Sequence, residues 1–323
     1  MTLREALAHA TSQIDASPGL RADAHRDAVL LLLHTLGISR AALLADPGRT
    51  LTLPQQAAYQ GLILRRLAHE PIQYIIGEQE FYGLALHVTP AVLIPRPETE
   101  LLVEAVLAEL GSHSAESVFH SAESVCHSAE SVCHSAVQRR NLLSLSPPPP
   151  PLRTPLRILD VGTGSGAVAI ALAHHLPQAH ITAVDLSPAA LAVAAANAAR
   201  HRLTSRIHLL ASDLLDALGP GEAGFDAIVS NPPYVPTADR ETLHPQVRDH
   251  EPAAALFAGP DGLDVYRRLI PQARAALNEN GLLALEIGHG QREPIAELLA
   301  GWNQLRFLDD LQHIARVTLV RKP

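Results

Sequence analysis

Cysteine and long apolar runs are both scarce in this sequence of 323 residues. The two cysteines are too few for a disulfide framework. The longest apolar runs, 28–33 and 167–173, are far shorter than the ~20 residues of a membrane-spanning helix. The first residues lack the charged segment and long apolar segment of a secretory signal. We therefore expect a soluble, cytoplasmic protein that does not enter a membrane.

Clustered positive charge is missing as well. The net charge is −8, and Lys322 is the only lysine. Residues 1–75 carry seven arginines against six acidic side chains, whereas residues 76–323 carry 18 basic and 27 acidic side chains. Non-specific binding to nucleic acid depends mainly on phosphate neutralisation by clustered lysine and arginine. The charge distribution therefore predicts no direct binding to nucleic acid.

Apolar residues are abundant, at 47% of the chain, which is enough for a large core and excludes general disorder. Residues 1–70 read as a small bundle of amphipathic helices. Within it, Thr52 and Gln55 form a capping-box pattern that predicts a helix running to about His69. Residues 71–111 are predicted to form a β-hairpin linker, with the change of period beginning at residue 72, and a helix that ends at Gly111.

Residues 112–152 form a low-complexity insertion. A seven-residue repeat that begins His-Ser-Ala-Glu-Ser-Val fills 113–136, and a proline run follows at 147–151. The repeat contains histidines and both cysteines, Cys126 and Cys133. Residues seven apart on a helix lie ~10 Å apart, too far to share a zinc ion or a disulfide. We therefore interpret the insertion as a flexible, solvated linker and predict no metal site.

Residues 153–323 alternate between strand and helix. Strands are predicted at 157–161, 180–185, 206–212, 226–230, 282–287 and 316–320, with helices between them, notably at 188–201 and 262–277. Alternating strands and helices indicate a parallel, doubly wound sheet with helices on both faces. Ligands in such sheets bind outside the carboxyl ends of the strands.

The first strand leads into a glycine-rich loop. It reads Asp160-Val161-Gly162-Thr163-Gly164-Ser165-Gly166. Such a loop lets the backbone approach a ligand and opens a helix whose N-terminus favours negative charge. By itself it is ambiguous, because Gly162, Gly164 and Ala167 also fit a dinucleotide fingerprint. An aspartate before the first glycine is typical of S-adenosylmethionine methyltransferases.

The next two strand ends supply the remaining cofactor residues of this interpretation. Asp185, at the end of the second strand, is predicted to accept hydrogen bonds from both ribose hydroxyls. Asp213, after the third strand, is predicted to meet the adenine amino group, with Leu214 beside the ring. A single aspartate at a strand end is commonly a helix cap, but several in register with a glycine loop favour a ligand site.

The fourth strand ends in Asn231-Pro232-Pro233-Tyr234. Its prolines fix φ and remove two N–H donors, so the Asn231 side-chain oxygen and the Pro232 carbonyl remain as acceptors. Two acceptors suit a planar –NH2 group, favour a pyramidal nitrogen and direct its lone pair at a methyl sulfonium, while Tyr234 packs on the planar group. Catalysis is then by positioning and electrostatics. Such a loop serves enzymes that methylate adenine, cytosine or glutamine.

The rest of the chain resembles one family, the peptide chain release factor glutamine methyltransferases (PrmC/HemK). The resemblance is carried by 71–77, 81–84 and 93–100, together with 27–47, 250–256 and 259–263. It covers nearly everything except residues 112–152. It implies an α/β fold of the class I S-adenosylmethionine methyltransferases, Rossmann-like, with a seven-stranded, mostly parallel sheet whose last strand is antiparallel. An N-terminal helical domain, expected to recognise the release factor, and the hairpin linker precede this domain at 153–323.

The resemblance also implies the reaction and its residues. The side-chain amide nitrogen of the glutamine in the Gly-Gly-Gln motif of bacterial class I release factors is the expected methyl acceptor, and the enzyme is expected to be a monomer. Cofactor binding is expected of Asp160, Gly162, Thr163, Gly164, Ser165, Gly166, Asp185, Asp213, Leu214 and Asn231. Substrate binding is expected of Asn231, Pro232, Pro233 and Tyr234, of which Asn231, Pro232 and Tyr234 are the expected catalytic residues. Family members often carry an aromatic residue at the position of Leu214.

Three alternatives stay open. The first is a methyltransferase for adenine N6 in nucleic acid, which the acidic catalytic region disfavours. The second is a ribosomal-protein glutamine methyltransferase, against which the segment 94–98 argues. The third is a binding module without activity, which an intact glycine loop and an intact 231–234 loop make a poor fit.

Overall fold

A computed structural model of the chain describes residues 1–111, 155–219 and 221–323. The insertion at 112–152, with its repeat, therefore lies entirely outside the described residues. In the described part of the chain, no helix has the length and apolar character needed to span a membrane.

Five helices precede the hairpin. They are α1 (Leu3–Asp15), α2 (Ala24–Leu36), α3 (Arg40–Ala45), α4 (Leu53–Leu67) and α5 (Ile72–Ile76). The capping box of α4 forms as predicted, with Thr52 Oγ1 accepting the Gln55 N–H and the Gln55 side chain accepting the Thr52 N–H. The helix ends at Leu67, two residues before the predicted end.

A buried ion pair joins two of these helices. Arg66 of α4 donates from Nε to Asp27 Oδ2 of α2 at 2.7 Å, and both side chains are almost fully buried. Arg66 also donates to the Glu70 carbonyl at 3.1 Å. Removal of one partner from a buried pair costs more than the pair contributes, because the other charge stays desolvated. The bundle therefore depends on both residues.

The hairpin consists of β1 (Glu78–Phe81) and β2 (Leu84–His87), paired antiparallel. The predicted change of period at residue 72 was wrong for 72–76, which form α5. Pro71 precedes this helix, and Gly77, with φ of 77°, ends it. One short helix therefore forms before the first strand begins. Helix α6 (Pro97–Leu110) ends before Gly111, as predicted.

Seven strands form the main sheet. They are β3 (Leu156–Val161), β4 (Ala179–Asp185), β5 (Ile207–Ala211), β6 (Phe225–Ser230), β7 (Leu277–Glu286), β8 (Asn303–Asp309) and β9 (Ala315–Arg321). Their order is β5-β4-β3-β6-β7-β9-β8, and β9 is antiparallel to both of its neighbours while the other pairings are parallel. The strand order reverses between β3 and β6, which is where ligands bind in such sheets. The expected fold class is confirmed.

Helices cover the sheet and complete its core. They are α7 (Ala167–His175), α8 (Pro188–Arg200), α10 (Asp264–Ala276) and α11 (Arg292–Leu298), whereas the short helix α9 (Pro245–Arg248) has no buried residue. Strand β8 was not among the strands predicted from the residue pattern. It lies at the sheet edge and none of its residues is fully buried, so it lacks the apolar run that marks a central strand.

Candidate active site

The glycine loop connects β3 to α7 and folds over the end of β4. The N–H groups of Gly162 and Thr163 both donate to the Val184 carbonyl, at 2.9 and 3.0 Å. Gly162, Gly164 and Gly166 have φ values of 73°, 57° and 82°, a backbone region that residues other than glycine rarely adopt. At Gly166 a Cβ would also lie 3.3 Å from the Ala194 Cβ of α8, so the loop packs tightly against that helix. These features explain the glycine spacing.

Asp160 lies beneath this loop. Its Oδ2 accepts the Thr163 hydroxyl at 2.6 Å and the Ala169 N–H at 3.1 Å, and the side chain is 1% exposed. Burial raises the pKa of this carboxyl to about 6, although both hydrogen bonds lower it. In this structure Asp160 connects the strand end to the first turn of α7. Direct contact between Asp160 and the cofactor stays a prediction.

Asp185 ends β4 beside the glycine loop. Its Oδ2 accepts the Gly164 N–H and its Oδ1 accepts the Ser187 N–H, both at 2.8 Å. A carboxylate has about four acceptor sites, so two remain for a ligand. Asp185 therefore fixes the loop and still offers acceptors to a pair of vicinal hydroxyls.

Asp213 and Leu214 follow β5. Asp213 Oδ2 accepts from Arg268 Nη2 at 2.8 Å, and both side chains are about half exposed. Leu214 has φ of 51° and packs partly buried against the apolar core under α10. An adenine amino group at Asp213 would share the carboxylate with Arg268, and Leu214 offers an apolar surface without aromatic stacking.

The 231–234 loop faces the glycine loop. A Cβ built on Gly162 would lie 4.0 Å from the Asn231 carbonyl oxygen, so the two loops lie next to each other at the strand ends. The Asn231 side chain donates from Nδ2 to Thr99 Oγ1 at 2.9 Å. This bond leaves the side-chain oxygen of Asn231 as the atom that can accept a hydrogen bond. The structure thus brings the predicted substrate loop to the predicted cofactor loop.

Tyr234 is held by residues from two later segments. Its hydroxyl donates to Glu286 Oε1 at 3.3 Å, and its carbonyl accepts from Gln291 Nε2 at 3.0 Å. Burial raises the pKa of the Tyr234 phenol above its usual range. Gly262 has no room for a side chain, because a Cβ there would lie 2.2 Å from the Tyr234 carbonyl oxygen. The close approach of the Tyr234 backbone therefore explains why residue 262 of the 259–263 motif is a glycine.

The 93–100 segment contacts the site directly. Arg96 forms an ion pair with the buried Glu251 carboxylate, which also accepts the Ile94 N–H at 3.3 Å. Thr99 bonds Asn231, as described, and the Glu100 carboxylate accepts the Tyr82 N–H at 2.9 Å. The segment therefore ties the hairpin and the loop around residue 251 to the substrate loop.

Three site residues were missed by sequence reasoning. Thr99 lies within the 93–100 segment, whose pattern predicts no role for it, and the pattern at Glu286 predicts only a strand. Asn197 of α8 is fully buried and bonds both the His87 backbone of the hairpin and the Ser165 carbonyl of the glycine loop, at 2.7 to 2.9 Å. The sequence signal for Asn197 is a polar side chain within a mostly apolar helix.

Comparisons with known proteins match family models to two parts of the chain. The PrmC N-terminal domain matches residues 5–77, and the methyltransferase small domain matches residues 148–247. The release factor glutamine methyltransferase of Koribacter versatilis (strain Ellin345) is 40% identical, and the alignment covers 100% of this chain and 99% of that protein. The chain belongs to the release factor glutamine methyltransferase family. The expected resemblance is confirmed.

Other members of this family show the same extent of likeness. The release factor glutamine methyltransferase of Deinococcus radiodurans is 39% identical over 94% of this chain and 92% of its own. Among solved structures, the hMettl16 catalytic domain in complex with MAT2A 3'UTR hairpin 6 has a TM-score of 0.51 at 15% identity, and the match covers 88% of this chain and 92% of that chain. That likeness shows the fold alone.

S-adenosylmethionine is the cofactor of this methyltransferase domain, as expected. The residues of these loops and strand ends fit its chemistry. Asp185 has free acceptor sites for the ribose, the three glycines let the backbone approach, and Asp213 lies within reach of solvent at the next strand end. Which residues contact the cofactor stays a prediction.

Proposed function

We propose that this enzyme methylates the side-chain amide nitrogen of the glutamine in the Gly-Gly-Gln motif of bacterial class I release factors. The observation that carries the proposal is the 231–234 loop beside the glycine loop, with the Asn231 side chain hydrogen-bonded to Thr99. The relatives are named for methylation of a release factor glutamine, which supports the acceptor. The segment 93–100, which carries part of the family resemblance, contacts this loop through Thr99.

In this proposal the enzyme promotes methyl transfer by orienting the acceptor amide. The Asn231 side-chain oxygen and the Pro232 carbonyl accept the two hydrogens of the target –NH2 group, and Tyr234 packs on its plane. Bound S-adenosylmethionine supplies an electrophilic methyl group on sulfur. Because an amide nitrogen is a weak nucleophile, its lone pair must be freed from the carbonyl and held in line with that methyl group. Polar groups fixed before the reaction need no reorganisation as charge develops.

The remaining residues have supporting roles in this proposal. Asp185, Asp213 and Leu214 hold the cofactor's nucleoside, and the glycine loop passes close to its amino-acid tail. The helices of residues 1–70 recognise the release factor, which the match of residues 5–77 to the PrmC N-terminal domain supports. The enzyme acts as a monomer in the cytoplasm and requires no direct nucleic-acid contact.

A comparison of three acceptors tests the proposal. The enzyme is incubated with S-adenosylmethionine labelled in the methyl group and, separately, a class I release factor, a ribosomal protein and an adenine-containing oligonucleotide. The release factor should take up label, and the same factor with its Gly-Gly-Gln glutamine replaced should not. Labelling of the oligonucleotide or ribosomal protein, with the release factor unlabelled, would overturn the assignment.

A further inference from the structure

A segment of the methyltransferase domain connects the substrate loop to the N-terminal helices. Residues 237–250, here called the docking segment, begin three residues after the 231–234 loop. The chain is paired where it leaves that loop and where it returns, because Val235 donates to the Leu256 carbonyl at 2.9 Å and accepts the Ala258 N–H at 3.0 Å. The docking segment is therefore fixed to the substrate loop at its base.

The far end of the docking segment contacts the N-terminal helical part of the chain through two histidines. His244 Nε2 lies 3.3 Å from the Gly19 carbonyl oxygen, and His250 Nε2 lies 3.1 Å from the Ala68 carbonyl oxygen. A carbonyl oxygen only accepts, so both ring nitrogens donate. Within the described residues, no other hydrogen bond or ion pair joins residues 1–70 to the methyltransferase domain.

The hydrogen bonds of His244 select one protonation state. Its Nε2 donates to the Gly19 carbonyl, while its Nδ1 accepts the Gln246 backbone N–H at 3.3 Å. The ring is therefore neutral, with its hydrogen on Nε2. His244 is exposed, so a proton can reach it. A hydrogen added at Nδ1 would point at the Gln246 N–H, donor against donor, and would remove the cap of helix α9 (Pro245–Arg248).

His69 lies on the other side of this contact. Its ring centroid is 6.2 Å from that of His244, edge to face, and its buried Nδ1 has no hydrogen-bond partner among the described residues. Burial lowers the pKa of His69, and so do His244, Arg66 and His250, whereas Asp249 raises it. A proton on His244 would therefore place a positive charge beside a ring that is held neutral.

The carboxylates around the contact are already paired with arginines: Glu70 with Arg65, Asp249 and Glu241 with Arg248, and Asp27 with Arg66. Glu70 and Asp249 also interact with His250. A charged His250 still donates from Nε2, so its bond to the Ala68 carbonyl survives protonation. His244 is thus the histidine whose protonation breaks the contact.

We propose that His244 and His250 are positioning residues that hold the substrate loop in place relative to the N-terminal helices, and that protonation of His244 releases this contact. The inference rests on the proposed recognition of the release factor by residues 1–70. A release factor bound to those helices presents its glutamine to the 231–234 loop only while the two parts of the enzyme keep their relative position. Neither histidine touches the acceptor or the cofactor in this role.

Two acceptors of different length test the positioning role on purified full-length enzyme. One is intact release factor, and the other is a short peptide containing Gly-Gly-Gln, which can reach the substrate loop without the helices. The double variant His244→Ala, His250→Ala should lower kcat/KM for the release factor ~10-fold, the size expected for two exposed hydrogen bonds. For the peptide, kcat/KM should change less than ~2-fold, because the reacting groups are untouched.

A matched control and a structural readout accompany this comparison. His180→Ala with His208→Ala removes two exposed histidines at the starts of β4 and β5, away from the contact, and should leave kcat/KM for both acceptors unchanged. Amide hydrogen exchange followed by mass spectrometry should show faster exchange in 237–250 for the His244, His250 double variant and not for the control.

The pH dependence tests the role of the neutral ring. The ratio of kcat/KM for the release factor to kcat/KM for the peptide should fall as the pH drops below neutrality, and titrating groups of the active site cancel in this ratio. His244→Gln keeps a side-chain donor for the Gly19 carbonyl but does not titrate. It should retain most of the ratio at neutral pH and lose its fall in acid.

The two proposals fail in different ways. Wild-type enzyme that does not label the release factor contradicts the proposed function, and hydrogen exchange still tests the contact, since unchanged exchange in the double variant would overturn the positioning role. If the release factor is labelled, an equal loss of kcat/KM for both acceptors, full kcat/KM for the release factor in the double variant, or an acidic fall that persists in His244→Gln overturns the inference alone.

Discussion

Replacement of Asp185 by alanine tests the cofactor site. The substitution removes the carboxylate that accepts the Gly164 and Ser187 N–H groups at 2.8 Å and whose free acceptor sites we assign to the ribose hydroxyls. A hydrogen bond to a charged group contributes ~1.5–3 kcal/mol, and ~1.4 kcal/mol corresponds to tenfold in affinity. Loss of even one ribose bond should therefore weaken S-adenosylmethionine binding at least ~10-fold.

Titration calorimetry with S-adenosylmethionine measures this effect directly. Asp309→Ala is a matched control, since Asp309 also ends a strand but lies at the far edge of the sheet, with only a weak ion pair at 3.9 Å to Arg292. Its affinity for the cofactor should match that of the wild-type enzyme. Unchanged affinity in a folded Asp185→Ala variant would refute the assignment of the ribose site to this carboxylate.

Three further predictions concern stability and the insertion. The pKa of Glu286 is about 7 in the folded chain, above its ordinary value, so the folded state binds more protons than the unfolded state between pH ~5 and ~7. The free energy of unfolding should therefore fall as pH rises through this range. Denaturant unfolding at several pH values should show that Glu286→Gln removes on the order of 3 kcal/mol of this pH dependence. Asp27→Ala leaves the Arg66 charge buried without its carboxylate and should cost ~3–5 kcal/mol of unfolding free energy, whereas a loss below ~1 kcal/mol would contradict the buried pair. Deletion of 113–136 should leave the melting temperature and turnover nearly unchanged, because a change in loop length has a small entropic cost; lost activity would show that the repeat is functional.

Local signals in the sequence predicted the local structure well. The capping box at Thr52 and the Gly111 helix end both form as expected, because each depends on residues within one or two turns. The central strands were found because burial on both faces requires continuous apolar residues. Edge strand β8 (Asn303–Asp309) escaped, since an edge strand does not need them.

The sequence pattern could not predict contacts between residues that are far apart in the sequence. Thr99 and Asn231 are 132 positions apart, and Asp27 and Arg66 are 39 apart. The loop residues at strand ends could be predicted, since parallel strands bring their carboxyl ends to one edge. Glu286, which accepts a hydrogen bond from the Tyr234 hydroxyl, comes from a position whose pattern indicates only a buried strand.

The most direct test of the proposed reaction is the rate of methyl transfer to the Gly-Gly-Gln glutamine, with the modified nitrogen located by tandem mass spectrometry. Wild-type enzyme should place one methyl group on the side-chain amide nitrogen of that glutamine. Asn231→Ala should do so ~100-fold more slowly or worse, as for loss of a preorganised polar contact in other enzymes, with S-adenosylmethionine affinity nearly unchanged. Equal rates for the two enzymes, or a methyl group at any other atom of the release factor, would contradict the account.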